Sequence, residues 1–315
     1  MQNSCFPVIF VSNRYDSTIL FLYEPIPFCM NTALSNQDKI IQYYDTCQVD
    51  YAIVWHLDTH LSLHYGYWDG SIKRLRQALL RMNEVLAGKA GIQAGERVLD
   101  AGCGVGGAAQ YLASRFGAEV HGISLSEKQI DFATQKAEEN HLAHQVHFHV
   151  ADFTRMPFED NSFDVVWAVE SVCHAEEKAD FLREAFRVLR PGGRLILADF
   201  FRMAETLAPE QQYWLDRWGQ SWAVPSFEFL PLFEEKARQA GLQQVHAENI
   251  TPFIKPSARR LYCCFTPGIL CDGVLRLIGK RNAVHKANVW STYYQYQSLK
   301  RGLWNYYIVQ GIKPD

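Results

Sequence analysis

Between Arg97 and Phe201 short strand-like and helix-like stretches alternate, and this alternation limits the fold more than any other feature of the chain. "RVLDAG" reads as a strand and "GGAAQYLASRFG" as a helix that stops at Gly117. "AEVHGISL" is a strand, and "SEKQIDFATQKAEENH" is a helix capped by Ser126. "QVHFHVAD" and "FDVVWAVES" are strands, "EEKADFLREAFRVL" is a helix stopped by "RPGG", and "RLILADF" is a strand. Strands separated by single helices run parallel, with helices on both faces of the sheet. Right-handed crossovers then leave few topologies.

The flanks carry different patterns. From Asp38 to Leu57 the residues Ile40, Ile41, Tyr44 and Cys47 recur at helix spacing. An aromatic loop, "LHYGYWDG" (Leu63 to Gly70), follows, and Ser71 is expected to cap a helix running through Ala87. Past Phe201 an aromatic-rich stretch, a helix "LFEEKARQAGL" and a strand "QQVHAENIT" lead into an insertion over 252–302. "LWNYYIVQGI" closes the chain as a final strand.

Composition excludes several classes. The chain has 315 residues, 48% apolar and 21% charged, which suits a globular domain with a full core. A net charge of -3 supplies no field that draws nucleic acid. The eight cysteines form no C-x-x-C pair, so reduced thiols and a cytoplasmic setting are expected. Phe6 to Met30 is apolar-rich but broken by Arg14, Asp16 and Glu24, so no uninterrupted run reaches the length of a span, and no Lys or Arg precedes it. Met30 is the expected native start, with the first 29 residues dispensable.

The turn "DAGCGVGG" is where chemistry is expected. Ligands of open α/β sheets sit beyond the carboxyl ends of the strands. Gly102, Gly104 and Gly106 allow positive φ and bring backbone close to a ligand, and the next helix start offers free N–H groups. Gly102, Gly104 and Gly107 also fit the dinucleotide pattern G-x-G-x-x-G. That pattern wants an acid at the end of the second strand, where this chain has Ser124. The acid stands instead at Asp100, before the glycines.

D-x-G-x-G-x-G at 100–106 resembles the first motif of class I S-adenosylmethionine-dependent methyltransferases. "VADFTRMPFEDNSFDVVWAVESVCHA" and "FLREAFRVLRPGGRLILADF" resemble the third to fifth strands of that family. The resemblance implies a Rossmann-like seven-stranded α/β sheet that binds S-adenosyl-L-methionine. Asp100, Ala101, Gly102 and Gly104 would form the cradle, Asp152 would receive the adenine amine, and Phe153 would cover the ring. Ser124 departs from the family's usual acid. The group with similar second strands, which includes tocopherol, sterol and cyclopropane-forming methyltransferases, implies that Ser124, Leu125 and Gln129 hold the ribose. "YYDTCQVDYAIVWHLDTHLSLHYGYWD" and the C-terminus look like the tocopherol type. The implied organisation is an extension at 1–37, a helical cover at 38–94, a cofactor-binding core at 95–201, a lid and substrate region at 202–302, and a final strand at 303–315.

Such an enzyme works mainly by alignment, worth about 7–11 kcal/mol. Tyr44, Tyr65 and Tyr67 are candidates to face a sulfonium, each contact worth about 0.5–2 kcal/mol. Glu170 and His174 end the fourth strand, where a carboxylate or imidazole serves proton transfer, and His64 is a third base candidate. The expected acceptor is a lipophilic small molecule, a prenylated phenol or quinone, a sterol or terpenoid, or an alkaloid. Carbon is favoured as the methylated atom, with nitrogen or oxygen open. A nicotinamide-dependent oxidoreductase and a silent cofactor-binding protein are the rivals.

Two other clusters stand out. His141, His144, His147 and His149 lie in "NHLAHQVHFHV", away from the expected mouth and without an acid nearby in sequence, so no metal is expected. Residues 255–301 carry nine Lys or Arg against one acid, Asp272, interleaved with apolar residues. This stretch reads as a solvated lid, as a face for anionic lipid, or as a diphosphate clamp.

Overall fold

A computed structural model describes residues 34–315. Met30, Cys5, Cys29 and nearly all of the 1–37 extension lie outside the described residues.

The cover consists of α1 (Asn36–Val54), α2 (Leu57–His60) and α3 (Leu75–Ala90). The core runs β1 (Arg97–Ala101), α4 (Gly107–Phe116), β2 (Glu119–Ser124), α5 (Glu127–Glu139), β3 (Val146–Val150) and β4 (Phe163–Val169). It continues through α6 (Lys178–Val188), β5 (Leu189–Arg202), α7 (Pro209–Ser221), α8 (Leu230–Gln239) and β6 (Gln243–Asn249). Three helices, α9 (Thr251–Cys263), α10 (Phe265–Leu277) and α11 (Ala283–Lys300), then precede β7 (Trp304–Ile312).

The sheet has seven strands in the order β3-β2-β1-β4-β5-β7-β6. β1 to β5 pair in parallel, and β7 runs antiparallel to both its neighbours. Strand order reverses between β1 and β4, which opens a crevice above their carboxyl ends. The parallel strands are those expected from the alternation, and the whole is the Rossmann-like seven-stranded sheet that the family resemblance implied. Successive residues of the central strands feed opposite cores: Val98, Val165 and Ile196 pack on one face, Leu99, Val166 and Leu197 on the other. Burial on both faces explains why these strands read as continuous apolar runs.

Local chemistry sets the helix starts. Ser35 accepts from the Asp38 N–H while the Asp38 carboxylate accepts from the Ser35 N–H, a capping box that starts α1 at Asn36, two residues before the expected boundary. Ser126 caps α5 through the Gln129 N–H. Ser71 caps nothing. Asp69 Oδ1 takes both its N–H and its hydroxyl, so α3 begins only at Leu75.

The cover is pinned to the lid and the core. Gly66 N–H and Trp68 Nε1–H both donate to Ser257 Oγ on α9, at 3.0 and 2.8 Å. A Cβ on Gly66 would sit 2.5 Å from that of Ala78, so the aromatic loop reaches α3 only with glycine there. Asp45 of α1 accepts from Ser126 Oγ at 2.5 Å.

Candidate active site

The crevice divides into two adjoining chambers. The first lies over the β1 and β2 ends. Its lining includes His64, Asp100, Gly102, Gly104, Ser124, Leu125, Gln129, Phe153, Glu170 and His174, so most of the expected site residues converge there. Ala101 is fully buried, and its carbonyl accepts from Ser171 Oγ at 2.6 Å. A Cβ on Gly102, whose φ is 95°, would meet that of Ser171 at 2.3 Å. The turn therefore needs glycine for conformation and for space.

Asp100 ends β1 almost fully buried. Its Oδ2 has no partner among the described residues, and burial raises its pKa to about 7 despite an N–H of Ala109 that favours the charge. A buried carboxylate oxygen without a donor is costly and marks where a ligand donor belongs. Ser124 Oγ donates to Gln129 Oε1 at 2.9 Å, so the two form one polar unit on the chamber wall. Asp152 lies between the lining residues Ala151 and Phe153. Its carboxylate accepts from the Thr154 N–H and hydroxyl and from Gln37 Nε2 of α1. Phe153 packs edge-on against Phe181.

Glu170 has φ of 51°, a conformation rare outside glycine and a frequent mark of functional strain. Its Oε1 accepts from the Tyr65 N–H at 2.6 Å and from the Tyr306 hydroxyl at 2.9 Å. Burial raises its pKa to about 8; those two bonds oppose the rise and Asp199 adds to it. Glu170 lines both chambers.

The two histidines differ. His174 is bonded through both nitrogens, Nδ1 to the Ala223 carbonyl at 3.0 Å and Nε2 to the Tyr44 hydroxyl at 2.9 Å. Its turn is braced by Lys178, whose buried ammonium donates to the carbonyls of Cys173, Ala175 and Ser226. His64 donates from Nδ1 to the Tyr65 carbonyl at 2.9 Å, and its buried Nε2 has no partner among the described residues. Burial lowers both imidazoles to about 4, so both are neutral at neutral pH.

The second chamber is walled by Tyr51, Trp55, Tyr65, Phe200, Trp218 and Trp222 on one side. Asn288, Ser291, Thr292 and Gln295 of α11 supply a polar stripe on the other. Gln295 is 3% exposed, and its Nε2 has no partner among the described residues. Tyr51, Leu63, Glu170 and Trp222 line both chambers and mark their junction.

The three tyrosines proposed to face a sulfonium separate. Tyr44 lines the first chamber and Tyr65 the second. Tyr67 stacks on Phe253 at 4.3 Å, outside both linings. The histidine cluster also differs from its sequence reading. Parallel pairing sets His121 of β2 opposite His147, and Glu119 joins them, so a carboxylate does complete a set whose ligand atoms lie within 4.8 Å. The Arg97 guanidinium lies 3.2 Å from Glu119 Oε1 and 3.1 Å from His121 Nε2, which places a fixed cation inside that cluster. Cys173 sits in a short 3-10 turn beside His174, and burial pushes its thiol well up, away from nucleophilic duty.

Sequence reasoning missed Tyr306, Asp199 and the α11 stripe. Asp199 accepts the Cys173 N–H at 2.8 Å and the Phe200 N–H at 2.8 Å, which fixes the turn after β4. The signal for Asp199 was an acid inside an apolar strand, "LILADF".

Residues 99–197 match the family described as "Methyltransferase domain". The 27-O-demethylrifamycin SV methyltransferase of Amycolatopsis mediterranei is 38% identical over 196 residues, covering 62% of this chain and 72% of its own. The chloroplastic tocopherol O-methyltransferase of Arabidopsis thaliana is 35% identical over 212 residues, 61% of each chain. Among solved structures, the [4+2]-cyclase SpnF superposes with a TM-score of 0.71 at 25% identity, covering 89% of this chain and 96% of that one.

Proposed function

For a chain that belongs to the class I S-adenosylmethionine-dependent methyltransferases, we propose a lipophilic, hydroxylated small molecule as the methyl acceptor. The observation that carries this reading is the second chamber: aromatic on one side, polar along α11, and joined to the first at Glu170. Aromatic walls favour an apolar body, and a few placed polar groups orient it. Gln295, with a buried amide lacking a partner, is suited to receive an acceptor oxygen. Transfer to oxygen agrees with the names of both relatives. Carbon conjugated to that oxygen, the atom favoured from sequence, is the second reading, since loss of the same proton activates both.

The first chamber fits S-adenosyl-L-methionine. Asp100 offers an unpartnered buried oxygen to a donor, the Gly102–Gly104 backbone leaves room for close approach, and Ser124 with Gln129 suits a ribose. Asp152 and Phe153 suit an adenine by hydrogen bond and stacking. When bound, the cofactor supplies a methyl carbon activated by a positive sulfur. Glu170 is mostly protonated in the ligand-free protein at neutral pH; a positive sulfur beside it would favour its ionised form, and the carboxylate would then take the acceptor's hydroxyl proton. The Tyr65 N–H and the Tyr306 hydroxyl aim the carboxylate. His64 Nε2 is the reserve base, and His174 positions the Tyr44 hydroxyl. The aromatic walls keep water from the junction.

The test is mass spectrometry of a lipid extract incubated with the enzyme and methyl-deuterated donor. A labelled product gaining a fully deuterated methyl group, resistant to borohydride and carrying a methoxy signal, supports the reading. Label confined to polar metabolites would overturn it.

A further inference from the structure

Helix α10 is inside out. The sole residue it buries is Asp272. Leu270, Val274 and Leu277, with Ile278 just beyond, are 68, 62, 88 and 61% exposed. Spacings of four, three and one place them on one side of the helix, opposite Asp272. Arg281 pins this arrangement by pairing with Asp272 and with Asp50 of α1. The one acid between 255 and 301 is therefore turned inward. The charges left outward in this insertion, Lys255, Arg259, Lys280, Lys300 and Arg301, are all cationic.

We propose that the exposed apolar stripe of α10, together with the exposed cations of the same insertion, of which Lys280 directly follows the stripe, forms a docking face for an anionic lipid surface. An exposed apolar stripe bordered by Lys and Arg is the pattern of helices that lie in the plane of a membrane interface. No helix of the described residues is long and apolar enough to cross a bilayer, so contact is at the surface. A two-fold pairing of this face with a second copy would set cation against cation. The placement also serves access, because the same insertion lines the second chamber through Leu261 of α9 and the α11 stripe. The proposal does not depend on which atom is methylated, and its test reads lipid binding rather than turnover.

The full chain is floated with vesicles of phosphatidylcholine containing about one-third phosphatidylglycerol, and with pure phosphatidylcholine. The protein is expected to rise with the anionic vesicles at low salt, to stay behind with the neutral ones, and to be released by about 0.5 M NaCl. Val274→Glu and Leu277→Glu alter exposed positions, so both retain the fold, checked by S-adenosylhomocysteine binding. Each is expected to cut the bound fraction about tenfold or more. No flotation on anionic vesicles at low salt, or flotation of both variants equal to that of the parent, overturns the proposal. So does a dimer seen by light scattering that Val274→Glu dissociates.

Discussion

The two chambers are built by different means. The floor of the first is largely backbone, a glycine turn, a helix start and strand ends with side chains such as Asp100 fixed by the strand that carries them, and the cover closes it with Ile40, Ile41 and Tyr44. The second is made of side chains from α1, β5, α7, α9 and α11, brought together only by tertiary packing. A backbone cradle dictates residue types at fixed spacing. A wall of side chains needs only shape and a few polar groups, so relatives with one cofactor can differ in acceptor.

That contrast can be broken by experiment. The largest effect is expected at the junction. Glu170→Gln keeps an oxygen for Tyr65 and Tyr306 but removes the proton acceptor, so turnover should fall by about 10²–10⁴. Rapid-quench turnover of Glu170→Gln beside His64→Ala decides between them; full activity in the first and loss in the second would move the base to His64. Next comes the cradle. Asp100→Ala should weaken S-adenosylhomocysteine binding roughly 10- to 100-fold by calorimetry, with the fold intact. Unchanged affinity would remove Asp100 from the site.

A smaller effect is expected on the side-chain wall. Gln295→Leu should raise the acceptor KM about tenfold and leave S-adenosylhomocysteine affinity unchanged. Parallel losses in both would show that the chambers are not separable. The pH dependence of stability sharpens the same boundary. Glu170 has a folded pKa of about 8 against an ordinary 4.5, so its contribution to stability is present below 4.5 and is lost as pH rises through about 8. His64 and His174, lowered from 6.5 to about 4, act in the opposite sense and only below 6.5. Melting temperature of the ligand-free protein should therefore decline between pH 6.5 and about 8, and Glu170→Gln should flatten that decline. Asp100, raised to about 7, keeps part of it. At the bottom of the scale, Tyr67→Phe should leave binding and turnover within twofold of the parent, because Tyr67 serves the Phe253 stack.

The sequence showed most of the first chamber for the reason just given. Asp100, the glycines, Ser124 and Gln129 lie within one strand-turn-helix-strand-helix segment, where local geometry and residue type are locked together. The second chamber was hidden because its contacts join distant segments. Tyr306 reaches Glu170 across 136 positions, and nothing in "LWNYYIVQGI" marks which tyrosine turns inward until β7 is set against β5. Glu119 and His121 met His147 only through the β2–β3 register. Tyr67 failed as a sulfonium candidate because Phe253, far along the chain, offered it a stacking face. Ser71 failed as a cap because Asp69 competed for it two residues away.

The bond from Gln37 to Asp152 has a consequence for traffic at the rim. The first turn of α1 holds the very carboxylate that an adenine amine would use. Under the role proposed for Asp152, arrival of the nucleoside would swap one amide-like donor for another, with little net change in hydrogen bonding. Departure of the spent nucleoside would let the helix start settle back onto the same oxygen, so that the door and the guest would share one handle.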